Sequence, residues 1–230
     1  MLGYVFALLA TVVLPLLASL FMAVRYKKHK PVLLGAACFI VFQMLIRIPM
    51  LQMVLPKWTE LVHFQLSQPF LYLLFLSVTA GLFEEIGRYI TMRLFLKAMP
   101  LTGAVAFGVG HGGIEALLLV GINFIIIGAT KALVIDATTS SLFFLGGVER
   151  IFAMVVHISL SIMVWRSLKE EKPSLLFLAI ILHTMLNLIA GYQAQLEMNP
   201  LLIEGSIGLF AGLLLLFTII SVKRMNQRRN

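Results

Sequence analysis

Glu84, Glu85 and Arg88 fall within five residues of one another, inside an apolar run from Phe70 to about Leu96. Each ionisable group at mid-bilayer depth costs about 2.5–3.5 kcal/mol, so three together must face partners or water rather than lipid. At helical spacing Arg88 is i+4 from Glu84 and i+3 from Glu85, and it can brace either carboxylate. Ser77 and Gly81 continue the same face. One Glu–Arg pair alone would read as a structural ion pair that sets helix register. Two carboxylates against one guanidinium leave a negative remainder, and one acid is then free for proton transfer or for a metal.

The other polar residues inside apolar segments are few and grouped. One segment carries His111 and Glu115 at i,i+4, beside glycines at 108, 110, 112 and 113 that let a neighbouring backbone approach closely or leave room for a substrate. Another carries Glu149, Arg150 and His157, with Gly146, Arg150, Ala153, His157 and Ser161 forming a small and polar stripe. A third carries His183 and Asn187, again at i,i+4. Taken singly each has a plain reading: His157 as an interhelical hydrogen-bonding residue, Glu149–Arg150 as a structural pair near the outer surface, His29 and His63 as solvated. The single cysteine, Cys38, is ordinary packing. Together, Glu84, Glu85, His111, Glu115, His157 and His183 suit peptide hydrolysis in a dry cavity. That reaction needs a base for water, donors for the oxyanion and, in some enzymes, a Lewis acid. Three His and several Glu also suit a tetrahedral zinc site with one open position. HExxH is absent, which excludes a zincin-type helix.

The elements that must position these groups are membrane helices. The chain has 230 residues, 60% hydrophobic and 12% charged, with a mean hydropathy of +1.01, far from soluble-domain usage. Apolar segments at about 2–24, 32–55, 69–96, 101–127, 146–165, 174–192 and 201–222 are each long enough to cross about 30 Å of hydrocarbon. An all-α bundle of about seven transmembrane helices follows, as one membrane domain over 1–230 with the site helices in 70–192. The first segment lacks a basic n-region and reads as a retained helix rather than a cleaved signal. Pro31, Pro69, Pro100, Pro173 and Pro200 sit at segment starts, Pro49 is expected to kink the second, and 56–68 reads as an interfacial helix carrying Trp58.

Arg25, Lys27, Lys28 and Lys30 follow the first segment; Arg93 and Lys97 end the third; Arg166, Lys169 and Lys172 follow the fifth; Lys223, Arg224, Arg228 and Arg229 follow the seventh. The alternate connections carry only Lys57 and Lys131 beside Glu60, Asp136, Glu197 and Glu204. The bias places the N-terminus outside and the C-terminus in the cytoplasm. The net charge of +8 is thereby used by topology, and no nucleic-acid partner is expected. At about 1.5 Å per residue from the cytoplasmic ends, Glu84 lies about 14–20 Å deep, His111, His157 and His183 about 13–15 Å, and Glu115 and Asn187 near 21 Å.

The set EExxR (Glu84, Glu85, Arg88), HGGxE (His111, Glu115), a fifth-helix His (His157) and HxxxN (His183, Asn187) resembles the bacterial YhfC-like intramembrane peptidases. These are distant relatives of type II CAAX prenyl endopeptidases, bacteriocin-processing membrane proteases, PrsW and the scaffold subunit of gamma-secretase. The resemblance covers residues from about 70 to 192. The spacing EExxR departs from the EExxxR of the CAAX enzymes and is nearer the EExxK of PrsW, so it leaves open which glutamate is the base. Phe107 precedes His111 by four, as in the FxxxH motif of those relatives.

The resemblance implies a multi-pass protein of the bacterial plasma membrane that cleaves a membrane-embedded peptide or lipidated protein. Glu84, Glu85, Arg88, His111, His183 and Asn187 would be catalytic, with Glu84 or Glu85 and His111 activating water and His183 and Asn187 holding the oxyanion. A divalent metal such as zinc would sit on His111, Glu115, His157 and His183. The site is expected to open toward the cytoplasmic half. The rival readings are a small transporter or proton relay, since intramembrane Glu and His also line ion paths, and a non-catalytic scaffold or bacteriocin-immunity protein.

Overall fold

Residues 1–130 and 136–227 are described by a computed structural model, and Lys131, Arg228 and Arg229 lie outside them. Among the described residues, seven helices are long and apolar enough to cross a membrane: α1 (Leu2–Arg25), α2 (His29–Lys57), α4 (Pro69–Phe95), α5 (Leu101–Thr130), α6 (Ala137–Lys169), α7 (Pro173–Gln195) and α8 (Pro200–Gln227). The short α3 (Thr59–Ser67) joins α2 to α4, with Trp58 exposed at its start, where an interfacial helix was expected. His29 and His63 are exposed and Cys38 is buried. The protein is an all-helical, multi-pass membrane protein.

α6 is longer than its apolar core, which the hydropathy places at 146–165. Asp136 caps its N-terminus, with its Oδ1 accepting from the Thr139 backbone N–H at 2.7 Å, so the helix starts well before the apolar stretch. The same hydrogen bond holds the Asp136 carboxyl below its ordinary value. At the other end Arg166 and Lys169 fall in the last turn, where they also suit the helix dipole.

Three spans are under-wound by wide turns that no hydrophobic period reveals. In α2 the turns Ile40–Arg47 and Met50–Val54 flank Pro49, so the expected distortion takes the form of i→i+5 bonds such as Ile48 N–H to Gln43 C=O. The result turns Gln43 and Arg47 into the bundle, each 8% exposed. In α1 a wide turn at Leu9–Val13 precedes Pro15 and absorbs its missing N–H. In α5 the wide turn Ala116–Gly121 begins directly after Glu115.

α5 is the central helix. Its most extensive contact is with the first half of α2, and α6 is next to it on the other side. Both approaches depend on glycine. A Cβ at Gly110 would collide with the backbone carbonyl of Val32 in α2, and one at Gly112 would lie 3.1 Å from the His157 Cβ in α6. The main apolar core fills the cation-rich half of the bundle around Met92, Phe107, Leu160, Met163, Val164 and Trp165. The Trp165 indole N–H is satisfied by the Met99 carbonyl at 2.7 Å.

Candidate metal centre and its cavity

α4, α5, α6 and α7 deliver their ionisable groups to one level. Glu84 is 4% exposed, Glu85, Arg88 and His111 0%, and His157 and His183 4%. Arg88 contacts both of its carboxylates, Glu85 Oε1 at 3.1 Å and Glu84 Oε2 at 3.5 Å, so the arginine braces the pair. Its Nη2 also donates to His157 Nδ1 at 2.6 Å. Guanidinium has no lone pair to offer, so Nδ1 is the acceptor and the ring proton of a neutral His157 resides on Nε2. His157 Nε2 lies 2.5 Å from Glu115 Oε2. That approach is off the hydrogen-bonding direction and leaves the buried oxygen without a donor.

His111 Nε2 meets Glu84 Oε2 at 3.0 Å, and its ring is flanked by Phe39 and Phe107. His111 Nδ1 is buried with no partner. His183 is turned to the second carboxylate: Nδ1 lies 2.7 Å from Glu85 Oε1, while Nε2 stands 4.0 Å from Glu84 Oε1.

Ligand atoms of Glu84, His111, Glu115 and His157 lie within 4.8 Å of one another. The geometric group therefore contains Glu84 where the sequence expectation has His183, because His183 is drawn into the pair with Glu85. Two imidazoles and two carboxylates form a donor set suited to a zinc-class divalent cation. The orphaned Glu115 oxygen is the kind of buried atom that such an ion would satisfy. Charge balance agrees: Glu84, Glu85, Glu115 and Glu149 exceed Arg47, Arg88 and Arg150 by one, four acids against three guanidiniums. The residues present fit a metal.

A cavity of about 330 Å³ opens onto this group. Glu84, Glu115, His157, His183 and Asn187 line it, whereas Glu85, Arg88 and His111 lie behind its wall. From Glu84 it extends past Ala80, Ser77 and Leu73 on α4, past Asn187 and Ala190 on α7, and to Ile207 on α8. These residues lead to the cation-poor helix ends, which the charge bias places outside. On the cation-rich side the apolar core closes beneath Glu84. Relative to the charge bias, this is the side opposite to the expected cytoplasmic opening, because the core around Met92, Phe107, Leu160, Met163 and Trp165 fills the cation-rich side beneath Glu84.

Four residues, Glu149, Arg150, Arg47 and Gln43, join the site without having been singled out for it. Arg150 pairs with Glu149 as the sequence suggests, but its Nη1 also donates to Glu115 Oε1 at 3.1 Å, and both members of the pair line the cavity. Arg47 and Gln43 line it from α2, with Arg47 donating to the Leu76 carbonyl at 2.7 Å and to Thr79 Oγ1 at 3.2 Å. A charged residue in the middle of the 32–55 segment was a signal for Arg47. Nothing in the sequence marked Gln43.

A model of the YhfC intramembrane metalloprotease family matches residues 10–207 of the chain. The uncharacterised membrane protein YhfC of Bacillus subtilis strain 168 is 31% identical, with 84% of each chain covered. No solved structure matches.

Proposed function

Since this chain belongs to the YhfC intramembrane metalloprotease family, we propose that it hydrolyses a peptide bond of a membrane-embedded peptide or lipidated protein in the cavity above Glu84. The observation that carries this reading is the convergence of Glu84, His111, Glu115 and His157 within 4.8 Å of one another, with all but His111 lining the cavity. The family kinship supports a bacterial plasma membrane as the setting, and the charge bias would then put the cavity mouth in its outer half, from which substrate reaches the site.

His111 and Glu115 would hold a zinc-class ion together with His157, whose ring proton would then sit on Nδ1 in place of the Arg88 hydrogen bond and leave Nε2 for the ion. When bound, such an ion lowers the pKa of a water and polarises the scissile carbonyl. Every other role falls to the chain. Of the two adjacent acids, Glu84 faces the cavity and Glu85 is sealed behind it, so Glu84 is the base. Its carboxylate takes a proton from water as the water oxygen bonds to the carbonyl carbon. It returns that proton to the amine when the C–N bond breaks.

With its Nδ1–H donating a hydrogen bond to Glu85, the His183 ring is fixed and Nε2 is aimed toward the cavity. A protonated Nε2 there, with the Asn187 amide one turn along α7, would hold the developing oxyanion. Arg88 is a positioning residue that keeps Glu84, Glu85 and His157 in register. Arg150 does the same for Glu115. The cavity ends at Glu84 above a packed core, which favours a reaction chamber over a proton or solute path.

The test pairs metal content with cleavage. Detergent-purified wild type and Glu84→Gln are expected to carry one metal per chain and His111→Ala to carry none, while only the wild type cleaves co-expressed membrane peptides. A metal-free wild type, full metal in His111→Ala, or wild-type cleavage by Glu84→Gln would refute the assignment.

A further inference from the structure

A second cavity, of about 540 Å³, lies at the cation-rich end of the bundle between the close of α4, the link to α5 and the last turns of α6. Its rim carries Arg93, Lys97 and Lys169, and no acidic residue lines it. Among the described residues none of these three cations forms an ion pair, whereas their neighbours Arg166 and Lys172 share Glu170 at 2.6 and 3.1 Å. Three cations left uncompensated around one concavity, beside two that are compensated, are more than the general bias of cytoplasmic loops requires.

The cavity also has two chemically distinct zones. Its rim is cationic, with Lys169 Nζ held 4.5 Å from the Trp165 ring centroid and Arg93 Nη1 bonded to the Tyr89 hydroxyl at 3.0 Å. Its floor is apolar, formed by residues such as Met92, Leu96 and the Trp165 ring, whose indole N–H is already used. Leu94 and Phe95, 60% and 55% exposed, run outward from it along the lipid face of α4. A ligand that fits has a negative head, an apolar body and chains continuing into the bilayer.

We propose that this cavity binds the phosphodiester headgroup of an anionic glycerophospholipid from the leaflet at the cation-rich face. Arg93 and Lys97 grip the phosphate from the α4 side and Lys169 from the α6 side, with the acyl chains lying against Leu94 and Phe95. The lipid thereby ties together the two helices that carry Glu84, Arg88 and His157. Met92 on its floor is one helical turn from Arg88.

The experiment is native mass spectrometry of the detergent-purified full chain, titrated separately with phosphatidylglycerol and phosphatidylcholine. One phosphatidylglycerol per chain is expected to be retained under conditions that strip phosphatidylcholine. The Arg93→Gln/Lys97→Gln/Lys169→Gln variant should lose about 100-fold in affinity, since each basic residue near an anionic lipid is worth roughly fivefold. Lys27→Gln/Lys28→Gln/Lys30→Gln removes the same charge elsewhere on that face and should bind as wild type. Should the triple variant not fold, Lys169→Gln alone is expected to lose about fivefold. Unchanged retention in the cavity variants, or an equal loss in the control, overturns the proposal. Displacement of the lipid by glycerol 3-phosphate at equal concentration overturns it too, because the site would then be one for a soluble phosphate.

Discussion

Replacing Gly112 by alanine tests the position of His157 more finely than deleting the histidine. A Cβ at Gly112 would lie 3.1 Å from both Cβ and Cδ2 of His157 and 3.3 Å from its Cγ. Ordinary carbon contacts begin at about 3.4–3.5 Å, so the imidazole must yield by a few tenths of an ångström. It has little freedom to do so, being held by Arg88 at 2.6 Å on one nitrogen and facing Glu115 at 2.5 Å on the other. Metal sites hold their ligands to about 0.5 Å, and disturbing that support typically lowers affinity about 10–100-fold.

Stability should respond differently. Alanine in a helix interior gains about 0.5–1 kcal/mol over glycine, against about 1–3 kcal/mol for overpacking, so the net loss is small. Zinc titration against a competing chelator, beside thermal unfolding in detergent, reads both quantities. Two further variants frame the result. Gly212→Ala meets nothing within 4 Å and should leave zinc affinity and stability intact, and Gly110→Ala strikes the Val32 backbone and should lower the folded yield. Wild-type zinc affinity in folded Gly112→Ala would refute the placement of His157 in the metal set.

Arg150→Met should leave Glu115 and Glu149 without their shared counter-ion and lower stability by about 3 kcal/mol, as measured by thermal unfolding, since removing one partner strands buried charge. The same variant should weaken metal binding about tenfold through Glu115, and a variant neutral in both assays would show that the pair is only a surface contact. On Glu170, burial pushes the carboxyl up, but hydrogen bonds from Arg166 and Lys172 outweigh it and hold the group below its ordinary value of 4.5. A folded value below the unfolded one means stabilisation that is complete above the unfolded value and is lost as pH falls through the folded value. Glu170→Gln should therefore unfold at a lower temperature than wild type at neutral pH, with the gap closing as the pH drops below about 4.5. A gap that persists at low pH would argue against this linkage.

Much of the site was legible from residue type and spacing. Glu84, Glu85, His111, His157 and His183 announce themselves because each sits where hydrocarbon penalises it, and i,i+4 spacing puts His111 with Glu115 on one face. The role of Arg150 was not legible, since pairing with its neighbour Glu149 is all that a linear reading offers. Arg47 and Gln43 reach the cavity through the under-wound turn of Ile40–Arg47, which a period of 3.6 does not forecast. The side on which the cavity opens depends on where bulky and small residues of four helices coincide.

Hydropathy and charge along the chain suffice to say which stretches can cross the membrane, which ends collect cations, and which ionisable residues must be buried in the bundle. Those follow from the free energy of placing each residue in hydrocarbon, a property of the local chain. Helix packing in three dimensions was needed to turn Glu84 to the cavity and seal Glu85 behind it, to draw His183 to Glu85 rather than to the other donors, and to bring Arg150 to Glu115. Those outcomes depend on the rotation and separation of neighbouring helices. Here the separation is set by backbone contacts at Gly110 with Val32 and at Gly108 with Ile158, where a single added methyl group would part the helices that carry the site.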